Sequence, residues 1–199
     1  MRRIGLLASL VALAACTSSP APVIHEYLVR REPGPVKAAA KEAPLLHLRA
    51  LRVASHVKGI TVVRPDGEID TLVYHRWAAP VADMVRDWLI ADLEATGRFH
   101  GVLGPTWSGH RATRDRTTLE ITVRRFELEE AANGSTQARV EIGGLLSHGG
   151  RVLPLAWVSG RAPVESAAGP AYASAMSAAL GEAAATLVDG ILAGADPAR

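Results

Sequence analysis

The stretch from Tyr74 to Phe99, YHRWAAPVADMVRDWLIADLEATGRF, constrains the fold more than any other part of the chain. Its apolar residues Val81, Met84, Val85, Trp88, Leu89 and Leu93 recur at steps of three and four, which makes one stripe of an α-helix. Asp83, Arg86, Asp87, Asp92 and Glu94 fall mainly on the other face, so the spacing predicts a surface helix docked on a core. Pro80 suits the first helical position, where its missing N–H has no intrahelical partner anyway. Ala79 before it is pushed toward extended geometry by the proline ring. Gly97 closes the helix where a left-handed residue is wanted. Tyr74, His75, Arg76 and Trp77 crowd the approach to this helix. Such side chains either pack the core or present a recognition surface, and large aromatics are most often well buried.

Residues 1–15, MRRIGLLASLVALAA, read as a targeting signal. Arg2 and Arg3 supply a positive start, and Ile4 to Leu13 supply a short apolar run. That run is too short to cross a bilayer core of roughly 30 Å as a stable helix. It ends in Leu13-Ala14-Ala15-Cys16, the pattern of a bacterial lipobox, in which the cysteine thiol receives a diacylglyceryl group. Cys16 is the single cysteine of the chain, so no intramolecular disulfide forms. Each buried methylene of an attached chain contributes about 0.8 kcal/mol, and stable anchoring takes two or more chains. A mature lipoprotein carrying three would be anchored without spanning the membrane. Thr17, with no acidic residue in its place, leans toward the outer rather than the inner membrane. The precursor has 22 Lys plus Arg against 20 Asp plus Glu, and losing Arg2 and Arg3 leaves 20 against 20. A near-neutral mature chain offers no footprint for nucleic acid.

Residues 16–44 are rich in Ser, Pro and Ala and read as a lipidated tether held extended by prolines 20, 22, 33, 35 and 44. A strand-like patch at residues 24–30, IHEYLVR, interrupts it, either as an edge strand of the domain or as a sticky piece of linker. Residues 45–195 then make one domain of ordinary size, long enough to bury a core without disulfides or metal. Leu46 to Val53 reads as a strand, and Arg64-Pro65-Asp66-Gly67 as the turn of a hairpin. Thr117 to Leu128 alternates through Leu119, Ile121 and Val123, then shifts phase to Phe126 and Leu128, which predicts a bulge near Arg124-Arg125. Asn133-Gly134 is a turn, Ala138 to Leu146 alternates again, and Leu153, Leu155 and Trp157 are expected on one face. Tyr172, Met176, Leu180, Ala183, Leu187 and Ile191 form the stripe of a second amphipathic helix. The pattern predicts an α+β fold: a single domain with a mostly antiparallel sheet and two amphipathic helices packed on one face.

Catalytic and metal chemistry is not legible. The histidines at 25, 47, 56, 75, 100, 110 and 148 include no helical pair at i, i+4 and no HExxH, and a lone cysteine excludes cysteine-type zinc sites. Ser108-Gly109-His110 and Ser147-His148-Gly149-Gly150 lack the GxSxG elbow and read as turns. Gly101 to Gly104 lacks the lysine of a phosphate loop, and Gly143-Gly144 inside a strand signals close backbone approach. No cofactor is expected.

The chain resembles a known family, the auxiliary lipoprotein component of ABC-type transport systems, which includes the lipoprotein of the paraquat-inducible operon. The likeness rests on the lipobox, Tyr27-Leu28 after a Pro-rich tether, and the strand Leu46–Val53. It continues in His75-Arg76-Trp77-Ala78-Ala79-Pro80 opening a helix that ends in Gly97-Arg98-Phe99, then in Arg125-Phe126-Glu127 and Ala171-Tyr172. This resemblance implies a non-enzymatic, periplasm-facing partner of an MCE-domain protein and an ABC permease–ATPase pair, moving phospholipid or other hydrophobic molecules between two membranes. Tyr74, Arg76, Trp77, Pro80 and Trp88 are then the candidate partner or lipid contacts, with Cys16 as the lipidated residue. A homo-oligomer would suit a docking end. The competing reading is a structural or envelope-assembly lipoprotein that binds peptidoglycan or an outer-membrane protein.

Overall fold

The computed structural model of the chain describes residues 21–32, 34–105, 117–166 and 169–195. The signal segment, Cys16 and the Ser108-Gly109-His110 turn lie outside them. Within the described residues the strands and helices run β1 (His25–Tyr27), β2 (Leu45–Leu48), β3 (Arg52–Val53), β4 (Thr61–Val63), β5 (Ile69–Thr71) and β6 (His75–Trp77). They continue with α1 (Val81–Ala95), β7 (Gly101–Leu103), β8 (Thr117–Glu130), β9 (Thr136–His148), β10 (Arg151–Pro163) and α2 (Gly169–Gly194). The class is α+β, as the sequence predicts.

The sheet is mixed rather than mostly antiparallel. β8, β9 and β10 form the expected antiparallel meander. The other edge of β8, however, takes three short strands in turn, all parallel to it: β2 at Thr117–Leu119, β3 at Thr122–Val123 and β4 at Leu128–Glu129. Period-two alternation predicts which residues face the core but says nothing about strand direction, so these parallel pairings were not visible in the pattern. The β4–β5 hairpin forms across Arg64-Pro65-Asp66-Gly67, with Gly67 at φ +88° and its N–H donating to the Arg64 carbonyl at 2.9 Å. The phase slip in β8 is a bulge: the register with β9 shifts between Val123 and Arg125, and Phe126 and Leu128 return to the core beside Leu119, Ile121 and Val123. A second shift between Leu155 and Val158 in β10 was not predicted. It turns Trp157 away from Leu153 and Leu155 to the opposite face, where its ring lies over Gly143 and carries the Arg124 guanidinium 3.9 Å above it.

Both helices cover one face of the sheet. α1 buries Val81, Met84, Val85, Trp88, Leu89 and Leu93, the stripe read from the sequence. Pro80 sits one residue earlier than expected, as the N-cap with ψ 139°, because its carbonyl already accepts the Asp83 and Met84 amides. Gly97 takes φ +66° after the helix, and a Cβ there would stand 2.9 Å from the Lys37 carbonyl oxygen, where the chain passes. α2 is long and apolar enough to cross a membrane by composition, yet half of its apolar window is buried inside the fold. Its Ala179 and Ala183 lie against β10 at Gly160, where a Cβ would meet the Ala179 carbonyl oxygen at 1.9 Å. Gly144 admits the Glu120 carbonyl in the same way, so close backbone approach is what the strand glycines provide.

At one end of the β8–β9 pair, burial pushes the Glu129 carboxyl up, but the hydrogen bond and charge of Arg139, helped by Gln137, outweigh this and hold it below the usual glutamate range. Its contribution to stability is therefore present above the unfolded pKa of about 4.3 and is lost as pH falls through the folded value. Arg139→Gln should flatten the acid limb of a stability–pH curve, and an unchanged limb would count against the pairing. Gly160→Ala should destabilise by about 1–3 kcal/mol in urea unfolding. Gly190→Ala, whose Cβ would meet nothing within 4 Å, should stabilise α2 by about 0.5–1 kcal/mol. Equal effects from the two would contradict the close helix–sheet contact.

Candidate functional site

The approach to α1 is built from two segments that are distant in the chain. Within the patch at residues 24–30, His25–Tyr27 form a strand: β1 pairs in parallel with β6 in a two-stranded sheet of their own, placing His25 beside His75, Glu26 beside Arg76 and Tyr27 beside Trp77. The His25 N–H donates to the Tyr74 carbonyl and the Ala78 N–H to the Tyr27 carbonyl, each at 2.8 Å. Arg76 Nε and Nη2 both donate to Glu26 Oε1, at 2.8 and 2.5 Å, an exposed pair that fixes register more than it stabilises. The His75 ring stacks between those of His25 and Tyr27 at 5.4 and 5.8 Å, and its Nδ1 shares a hydrogen bond of 3.1 Å with the Tyr27 hydroxyl. That hydroxyl also reaches the start of α2, where a Cβ on Gly169 would fall 1.8 Å from it.

The structure divides the five candidate residues. Tyr74, Arg76 and Pro80 are exposed. Trp77 is 8% exposed and packs edge-on against Phe126 at a centroid distance of 5.5 Å. Trp77, Arg76 and Pro80 line one open cleft of about 600 Å³, with Glu26, Val53 and Val57 on its other walls. Its only charged lining side chains among the described residues are Glu26 and Arg76, which engage one another. The Trp77 indole Nε1, fully enclosed, has no hydrogen-bond acceptor among the described residues. Tyr74, although exposed, does not line this cleft.

Trp88 is not brought together with the others. It is buried at the floor of a separate groove of about 740 Å³ between α1 and α2, against Gly181, whose Cβ would stand 3.3 Å from the indole. The Pro-rich segment crosses this groove. Arg31 pairs with Asp92 at 2.5 Å, the Arg30 N–H donates to Ser177 Oγ at 3.1 Å, and the Lys37 N–H donates to the Ala95 carbonyl at 3.2 Å. Glu26, Val53 and Val57 are site residues that the sequence did not single out. The alternation of His25, Glu26 and Tyr27 marks a strand but does not name β6 as its partner.

Comparison with known proteins now identifies the chain. The family model described as ABC-type transport auxiliary lipoprotein component matches residues 27–188, and the protein belongs to that family. A crystal structure of protein XCC0632 from Xanthomonas campestris is similar at TM-score 0.68 and 26% identity, covering 86% of this chain and 96% of its own. A second crystal structure, of an uncharacterized protein, shares the fold at TM-score 0.62 and 16% identity, covering 85% of this chain and 99% of that one. No curated protein matches the chain. Membership makes the protein a lipid-anchored envelope component with an accessory role in ABC-type transport.

The burial of the two indoles sets an expectation for stability. Trp77→Ala and Trp88→Ala should each cost about 3–5 kcal/mol of unfolding free energy. Tyr74→Ala should stay within about 0.5 kcal/mol of the parent protein. A Tyr74 variant as unstable as the Trp77 variant would mean the turn is packed rather than presented.

Proposed function

We propose that this family member is the docking end of an MCE-type ABC system that moves phospholipid or other hydrophobic molecules between the inner and outer membranes. It acts there without catalysis, held at the outer membrane by a lipidated Cys16, and its partners are the MCE-domain protein and the permease–ATPase pair. The observation that carries this reading is the division at the approach to α1. Tyr74, Arg76 and Pro80 are each exposed along the approach to α1, while Trp77 among them is buried in the core. Trp, Tyr and Arg are the residue types that most often dominate binding energy, and a rigid mount lowers the entropy cost of binding. The β1–β6 pairing also ties this approach to the segment that follows the tether in the chain.

Cross-linked affinity purification of the tagged lipoprotein from membranes, read by mass spectrometry, tests the role. An MCE-domain protein and its permease should co-purify, with cross-links at the Tyr74–Pro80 turn. Recovery of only peptidoglycan-associated or β-barrel proteins would replace lipid transport with envelope assembly. Arg76→Glu should abolish the MCE cross-links, but it also breaks the Glu26 pair. The exchange Glu26→Arg with Arg76→Glu restores that pair, so it should recover parental stability while the cross-links stay lost. If the exchange restores the cross-links as well, Arg76 serves the strand pairing alone.

A further inference from the structure

The free chain between Cys16 and the domain is much shorter than the Pro-rich composition of residues 16–44 implies. Residues 25–37 are pinned to the domain at several points. β1 lies along β6, the Arg30 N–H donates to Ser177 Oγ, Arg31 pairs with Asp92, and the Lys37 N–H donates to the Ala95 carbonyl. Cys16 and Val23 are then only seven residues apart, which span at most about 25 Å when fully extended. A lipid on Cys16 therefore holds the start of β1 within that distance of a bilayer surface.

What stands at the start of β1 is apolar. β1 and β6 run parallel, and the His25 N–H donates to the Tyr74 carbonyl, so Val23-Ile24 and Val73-Tyr74 enter the pair from the same end. Val73 and Tyr74 are the two central residues of a turn, closed by the His75 N–H on the Leu72 carbonyl at 3.0 Å. Gly, Pro, Asn, Asp and Ser dominate such positions, yet here they hold two large side chains that are 78% and 49% exposed. Val23 and Ile24, at the same end, are 68% and 52% exposed. None of the four is charged, and the first ionic side chains along the two strands, Glu26 and Arg76, are paired with each other. Exposed aliphatic residues with a tyrosine among them suit the boundary between headgroups and acyl chains, where the ring is apolar on one side and wet on the other.

We infer that Val23, Ile24, Val73 and Tyr74 form a lip that rests in the headgroup zone of the bilayer holding the anchor, and so fixes how the domain stands on the membrane. The lip sits at the root of the tether, and the anchor brings it to lipid whether or not the protein meets a partner or a second copy. This rests on lipidation of Cys16 and goes beyond the docking role. Of the docking residues it takes only Tyr74, and it leaves Arg76 and Pro80 to the partner.

The test places the mature lipoprotein in vesicles of phosphatidylethanolamine with a minor share of phosphatidylglycerol. Acylation blocks the Cys16 thiol, so Val73→Cys and Arg151→Cys each offer one thiol for a nitroxide label. Arg151 is the distant control. It pairs with His148 near the Thr118 end of β8, whereas the turn of the lip is bonded to Ile60 just before β4, which pairs with β8 at Leu128–Glu129. Electron paramagnetic resonance reads collisions of each label with oxygen, which concentrates in lipid, and with a water-soluble nickel chelate. The label at position 73 should show severalfold more oxygen collisions and severalfold fewer chelate collisions than the label at 151. Ile24→Asn combined with Tyr74→Asn changes exposed side chains alone, so it should keep Tm and return the label at 73 to the values at 151. Equal values at the two positions in acylated protein would overturn the lip and leave the anchor standing. Shielding from the chelate without the gain in oxygen, with spin–spin broadening that fades on dilution by unlabelled protein, would give the lip to a second copy and overturn its contact with lipid. Uptake of nitroxide at Cys16 in the parent protein would overturn the anchor, and the lip with it.

Discussion

Strand β8 is the element on which the rest of the structure depends. One of its edges is paired with β9 over nearly its whole length, and the other receives β2, β3 and β4 at successive positions. Three strands of two to four residues could not persist alone, because each pays loop-closure entropy for very few hydrogen bonds. Lined up on one long partner, they share a single apolar face and a single register. The bulge at Arg124 belongs to the same design. It bends β8 between the β3 and β4 contacts and returns Phe126 to the core, where Trp77 meets it.

Small residues decide how closely the second layer can approach. Gly160 lets α2 settle with backbone against backbone, Gly144 makes room for the Glu120 carbonyl, and Gly169 leaves space for the Tyr27 hydroxyl. The alanine-rich stripe of α2 follows from this, since large side chains would hold the helix off the sheet. Its long apolar run is thus accounted for by packing. The β1 segment closes the layer from outside, bonded to β6 and resting on the start of α2.

The candidate site was only partly legible. The crowding of Tyr74, Arg76 and Trp77 before Pro80 drew notice as a sequence feature, and three of the five candidates, Arg76, Trp77 and Pro80, do share a cleft. Which of them are exposed was not legible, because strand alternation over three residues has no absolute phase until a neighbour fixes it. Phe126 supplies that phase for Trp77, and Glu26 supplies it for Arg76. Trp88 shares their residue type, but it lies seven positions beyond Val81 along the helix, and its indole turns toward α2.

By itself, the sequence determined the two helices with their buried stripes, the meander, the bulge in β8, and the turns at Gly67 and Gly134. Each of these follows from a local rule: a period of 3.6 or 2, a break in that period, or a backbone angle that glycine tolerates. Only the tertiary structure decided that β2, β3 and β4 run parallel to β8, that β1 joins β6, and that Trp157 faces away from the helices. Strand direction and partner choice depend on contacts between residues far apart in the chain. A side-chain pattern encodes which face is buried, and it carries no record of what comes to cover that face.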